Sequence, residues 1–181
     1  MTSTQTLTIA PAGTWELDAV HSAVGFEVEY LGGTFKGSFR EIEATLVVGD
    51  DAVSLEGTAK VSSVDVKDEN LAGHLQSPDF FDAERFPEIR FTANEISLDG
   101  ETVKVEGDLT IKGVSQPANV TGVVTSPLTD PYGRERIGLK LETRVDRTQF
   151  GVSWNNPLPT GEPSLANDVT VVAELFFVKS A

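Results

Sequence analysis

The sequence predicts a single all-β domain, its strands paired antiparallel and closed into a barrel around an apolar interior. Three observations carry that expectation. Period-two alternation of apolar and polar residues recurs along nearly the whole chain, whereas helical periodicity never persists beyond about two turns. Turn signals bound these runs at short, regular intervals, which favours antiparallel neighbours. Each run carries one apolar face, and such faces are buried either by closure or by a second sheet.

Trp15-Glu16-Leu17 opens the series as a short strand. From Ser22 to Tyr30, Val24, Phe26, Val28 and Tyr30 face one way while Ala23, Gly25, Glu27 and Glu29 face the other. Glu41 to Val48 puts Ile42, Ala44, Leu46 and Val48 inward, and Val53 to Asp65 follows with Leu55, Gly57, Ala59 and Val61. Ile89, Phe91 and Ala93 lead to Asp99-Gly100, a hairpin turn because its central positions favour positive φ. Val103, Val105, Gly107, Leu109 and Ile111 then alternate with charged residues; Gly113 turns the chain, and Ala118 to Thr125 runs back. Ile137 to Val145 gives another inward row, and Val169 to Val178 closes the chain with apolar residues on both faces. That makes about eight or nine strands.

Two stretches break the pattern. Asp68 to Glu88 carries Leu71, His74 and Leu75 at helical spacing, then Ser77-Pro78 and an aromatic run, and reads as a short helix and loop across one end. Gln149 to Asn167, with Pro157, Pro159, Gly161 and Pro163, reads as a long, stiff loop of the kind that serves as a lid or binding loop.

Composition excludes several functions. The 181 residues hold 28 acidic against 14 basic side chains and no cysteine. The net charge of -14 repels phosphate backbones and anionic lipid surfaces, so nucleic acid and electrostatic membrane docking are disfavoured. Thiolate catalysis, disulfides and thiolate metal sites are absent. No window approaches the ~18 apolar residues of a membrane span, so no stable insertion is expected. Residues 1–13 lack the basic and apolar regions of a secretory signal. The expectation is therefore a cytoplasmic protein, with a flexible segment over 1–13 ahead of one domain over 14–181.

Chemistry-bearing patterns are few. Asp18-Ala19-Val20-His21-Ser22 holds an acid, an imidazole and a hydroxyl, but five consecutive residues entering a strand do not fold back into a hydrogen-bonded triad. Turn capping by Asp18 or Ser22 is the expected role, and no catalytic residue is assigned. His21 and His74, the two histidines, lack metal-site spacing, so no metal is expected either. The aromatics stand out more. Trp15, Phe26, Tyr30, Phe35, Phe39 and Phe91 accompany the strands, while Phe80, Phe81, Phe86, Phe150 and Trp154 fall in irregular stretches, where pure core packing is less natural. Gly107 and its small inward neighbours leave room, so a bulky residue at 107 is expected to reduce ligand capacity without unfolding the barrel. Spacing leaves open whether the interior is filled by side chains or holds a ligand.

A resemblance sharpens this. Trp15, Asp18, His21, Ser22 and Phe26 resemble the W-x-x-D-x-x-H-S-x-x-x-F opening of the YceI-like family of polyisoprenoid-binding, lipocalin-like proteins. Gly33 to Phe39 is similar to its G-x-F-x-G-x-F segment, and His74 to Asp82, followed by Phe86-Pro87, to its H-L-x-S-x-D-F-F-D. Gly107 to Val114 is similar to G-D-L-T-x-x-G-V, and Arg147 with Phe150, Gly151 and Trp154 to R-x-x-F-G-x-x-W. The chain departs from the family at Tyr30, where many members carry histidine, and at Leu71-Ala72, in place of a common Arg-Asp pair.

The resemblance implies an eight-stranded antiparallel, lipocalin-like barrel with an elongated apolar tunnel, no enzymatic activity and no cofactor. The implied ligand is a long isoprenoid, a polyprenyl phosphate or quinone type, and a homodimer is an implied assembly. The expected ligand contacts are the aromatics named above together with Gly107. Donors at the mouth would come from His74, Lys36 and Arg147.

Overall fold

The computed structural model describes residues 10–50, 52–125 and 127–180. Its strands are β1 (Gly13–Leu17), β2 (Ala23–Tyr30), β3 (Gly33–Phe39), β4 (Ile42–Val48), β5 (Val53–Lys60) and β6 (Val64–Asp65). After helix α1 (Glu69–Gln76) come β7 (Glu88–Asp99), β8 (Thr102–Ile111), β9 (Val114–Val124), β10 (Leu128–Thr129), β11 (Glu135–Asp146) and β12 (Leu165–Lys179).

These segments form a closed, eight-stranded antiparallel barrel. The first stave is β1 continued by β2, the second β3 continued by β4, and the third β5 continued by β6. Each pairs with the next, through Val24↔Phe39, Trp15↔Leu46, Leu46↔Leu55 and Phe39↔Val64. β7, β8, β9, β11 and β12 follow in order, and β12 closes the ring on the first stave through Leu17↔Phe177 and Val24↔Ala173. β10 is a short addition to β11. Among the described residues, the meander leaves no long open edge to pair with another chain.

The three early staves break side by side, at Asp18–Ser22, at Arg40-Glu41 and at the 3-10 turn Val61–Ser63. The break is stitched. Arg40 N donates to Ser63 O at 3.0 Å and Lys60 N to Glu41 O at 2.9 Å. Ser22 Oγ donates to Asp18 O at 2.7 Å and accepts from Phe176 N at 2.9 Å, while Asp18 N donates to Phe176 O at 2.7 Å. The capping role expected of Asp18 and Ser22 is thus a backbone repair: it satisfies groups that the interrupted ladder would orphan.

Several boundaries differ from the sequence reading. β3 was not expected as a strand, because Gly33 and Gly37 obscure the alternation of Phe35, Gly37 and Phe39. The run over Val53–Asp65 is two strands rather than one. The β7–β8 hairpin turns one residue later than expected, on Gly100-Glu101, with Asp99 paired to Thr102. Residues 1–9 of the expected flexible segment lie outside the described residues; Ala10 is buried, and Pro11 O accepts from Trp15 Nε1 at 3.0 Å.

Helix α1 lies where a helix was expected. Asp68 caps it, accepting from Asn70 N at 2.7 Å and Leu71 N at 3.2 Å. The i, i+3, i+4 spacing of Leu71, His74 and Leu75 turns one face inward. The buried residues fall into two clusters, one around Trp15, Leu46, Val103 and Phe177, the other around Phe39, Leu75, Phe80 and Phe150.

Candidate ligand-binding cavity

The second cluster surrounds empty space. A cavity of about 470 Å³ occupies the half of the barrel that includes α1. On four staves the lining ends within a single inward step: Leu17, Leu55, Leu141 and Leu175 line the cavity, whereas the next inward residues, Trp15, Val53, Leu139 and Phe177, lie in the packed cluster and do not. The cavity therefore has a floor at one level. Its walls include Gly57, Ala44, Ala59, Ala118 and Ala173, small side chains that fail to meet across the barrel. Tyr30, 40% exposed, marks where the lining reaches solvent.

Aromatic side chains bind the irregular stretches to the barrel. Phe26 lies 6.0 Å from Phe35 and 5.9 Å from Phe39, centroid to centroid, and Phe39 lies 5.8 Å from Phe81. Gly37 makes that row possible, since a Cβ there would stand 2.5 Å from Phe26 Cζ. Around His74, the ring of Trp154 is edge-on at 4.9 Å and that of Phe80 at 5.0 Å. Such tilted and edge-on pairs add to the stabilisation from burial alone.

Three polar side chains of the lining, those of Arg147, His74 and Thr143, are committed to other partners. Arg147 is 6% exposed, and among the described residues no carboxylate is bonded to it. Its guanidinium donates instead to backbone carbonyls, to Ala166 at 2.8 Å, Val152 at 2.8 Å, Trp154 at 2.9 Å and Leu165 at 3.4 Å. Burial pulls its pKa below the ordinary arginine value, an effect opposed by nearby Asp146. His74 Nε2 bonds Asp79 Oδ2 at 3.0 Å, and Thr143 Oγ1 donates to Asn119 O at 2.8 Å. Lys36 is not in the lining; its ammonium is 3.4 Å from Glu27 on the outer face.

Of the residues expected at the site, Phe26, Tyr30, Phe35, Phe39, His74 and Phe91 line the cavity, as do Phe80, Phe81, Arg147, Phe150 and Trp154. Three stand elsewhere. Trp15 is 0% exposed inside the packed cluster. Phe86 covers the Gly113 turn, with the Arg85 guanidinium 5.3 Å over its ring. Gly107 makes way for side chains rather than for a ligand, because a Cβ there would stand 2.8 Å from both Phe91 Cζ and Ala93 Cβ and would press on the Thr92 carbonyl. A bulky residue at 107 would therefore disturb the β7–β8 pair, contrary to the expectation of a harmless plug. The aliphatic lining from β11 and β12, Leu141, Val145, Val171 and Leu175 among it, was missed as a site. Its alternation was visible, but alternation does not distinguish a packed row from one facing a void.

The YceI-like domain family matches residues 15–177. The chain belongs to the YceI-like family. A UPF0312 protein of Staphylococcus aureus is 32% identical over 169 residues, covering 88% of this chain and 94% of its own. Among solved structures, BcnA of Burkholderia cenocepacia superposes with a TM-score of 0.77 at 22% identity, covering 88% of this chain and 98% of its own. A polyisoprenoid-binding domain from Saccharophagus degradans superposes with a TM-score of 0.72 at 15% identity, covering 92% and 98%. At those identities the two structures share the fold.

In this YceI-like chain the family motifs mostly hold the frame. The opening D-x-x-H-S stitches the broken first stave. The H-L-x-S-x-D-F-F-D segment ends α1, with Ser77 Oγ donating to His74 O at 2.6 Å, and swings Phe80 and Phe81 into the lining. Lys112 takes φ 52° and sends its ammonium to Pro78 O at 2.6 Å and Gly151 O at 3.3 Å, tying two loops together. The R-x-x-F-G-x-x-W segment supplies the Arg147 staple and two lining aromatics.

Proposed function

We propose that this chain binds a long isoprenoid lipid, of the polyprenyl or quinone type, inside the barrel and carries or buffers it without chemical change. One observation carries the reading: an apolar cavity of about 470 Å³ kept inside an otherwise close-packed barrel. A long apolar ligand that fills it gains about 25 cal/mol per Å² of apolar surface removed from water. The Saccharophagus degradans protein of the same fold is a polyisoprenoid-binding domain, which supports the choice of ligand class. The committed hydrogen bonds of Arg147, His74 and Thr143 support binding over catalysis, because no nucleophile and base are paired in the lining.

The test is native mass spectrometry of freshly purified protein, followed by organic extraction. A co-purified isoprenoid or quinone is the expected result. The two tryptophans provide a second readout: Trp154 lines the cavity and Trp15 is sealed in the packed cluster, so added geranylgeraniol should change the emission of Trp154 alone. Protein that is empty, accepts no added isoprenoid and keeps its emission unchanged overturns the proposal.

A further inference from the structure

The cavity stops partway along the barrel, and the stop is built from Leu17, Leu55, Leu141 and Leu175. Behind them, Trp15, Leu46, Val103 and Phe177 are all 0% exposed, so the floor rests on solid packing. We infer that this leucine floor is a length ruler: it admits one isoprenoid chain tail-first and buries about four isoprene units, leaving any longer tail outside. The inference rests on the isoprenoid reading above.

Capacity follows from volume. A 150 Å³ apolar cavity takes one benzene, so about 470 Å³ takes about three times as many carbons, roughly 18 to 20, or four isoprene units. Depth agrees. From Leu165 near the rim to Leu175 at the floor, β12 advances at about 3.3 Å per residue and about 40° of tilt, an axial depth of about 25 Å.

Direction follows from chemistry. The floor side chains are leucines, and the strands around them are fully paired, so nothing at the blind end receives a polar head. Of the polar-tipped lining groups, Tyr30 and His74 reach solvent at the α1 end, Thr143 and Arg147 are bonded to backbone carbonyls, and Glu43 and Thr58 belong to the β4–β5 wall. The head group stays at the α1 end.

The experiment is competition among farnesol, geranylgeraniol and solanesol, delivered from cyclodextrin to the intact chain and read by native mass spectrometry. Geranylgeraniol should outcompete farnesol by at least about tenfold, since one more unit is buried, and solanesol should gain less than about threefold over geranylgeraniol. Ala173→Phe, which fills space just above the floor, should erase the advantage of geranylgeraniol over farnesol. Leu175→Ala, which lowers the floor, should let solanesol gain over geranylgeraniol; thermal melts establish that each variant is folded. If wild-type affinity keeps climbing about tenfold with each step to solanesol, or if Ala173→Phe leaves the order unchanged, the ruler is wrong while the isoprenoid reading stands. If no isoprenoid binds and palmitate does, the isoprenoid reading fails and the ruler falls with it.

Discussion

At the Trp15 end of the barrel, the inward rows carry Trp15, Leu46, Val103 and Phe177, each 0% exposed; at the α1 end the same staves and their neighbours offer Gly57, Ala59, Ala118 and Ala173. The inward alternation of the strands runs through both halves, and the small residues at the inward positions of the α1 half leave a space that the large ones at the Trp15 end fill. A core is held by contacts on every side, whereas the wall of a container loses them on one side. The solid half therefore supplies most of the packing that holds the barrel together.

That contrast can be broken at several points. The largest effect is expected from one chemistry applied to both halves. Leu46→Ala should cost about 4–5 kcal/mol, and Leu109→Ala, whose side chain already borders the void, about 2 kcal/mol, both read from urea denaturation of ligand-free protein. Equal costs would mean that the hollow half is packed in solution. Next comes Arg147→Lys, which gives up the planar fork that reaches several carbonyls and should cost about 2–3 kcal/mol, with faster proteolysis between Trp154 and Leu165. Ala59→Leu should move the other way, stabilising ligand-free protein by about 1 kcal/mol while weakening isoprenoid binding, as expected when a functional void is filled.

The smallest effect is electrostatic and lies outside both halves. Arg136 bonds Asp130 at 2.7 Å and Asp18 at 3.0 Å. Its hydrogen bond, with backbone donors from Arg134 and Tyr132, lowers the Asp130 pKa to about 2. Asp18 is lowered in the same direction, chiefly by Arg136, against the opposing effect of burial. A carboxyl whose pKa is lower in the folded state stabilises above its unfolded value, near 3.9, and loses that contribution as pH falls through the folded value. Melting temperature should fall between about pH 4 and pH 2, and Asp130→Asn should flatten that limb while leaving the hollow half's ligand affinity unchanged.

How much of this was legible depends on the level. Alternation revealed the inward rows because a strand side chain has only two directions to choose from, and Val24, Phe26, Val28 and Tyr30 could be assigned to one face by counting. It could not reveal that Leu175 borders a void and Phe177 does not. That distinction depends on what stands opposite across the barrel, at separations in sequence that no local pattern encodes. Gly37 shows the same limit: β3 was not read as a strand, and Gly37 is where it yields to the Phe26 ring. Gly107 was read as spare volume, although Phe91 and Ala93 occupy it. Arg147 was read as a head-group donor at the mouth, whereas its partners, the carbonyls of Val152, Trp154, Leu165 and Ala166, leave no signature in sequence.

The Arg147 staple has a kinetic consequence. It fastens the segment from Val152 to Ala166, and Lys112 anchors both Pro78 and Gly151, so two sides of the rim are tied to the barrel. Helix α1 is the third side, with eight residues of which only Leu75 is buried. Local opening is cheapest where few apolar contacts must be broken. On the proposed function, ligand release should follow the fraying of α1, whose amides should exchange with deuterium well before those of Val169 to Leu175. A container with a rigid wall and a single weak door releases its contents at a rate independent of how tightly the far end is packed.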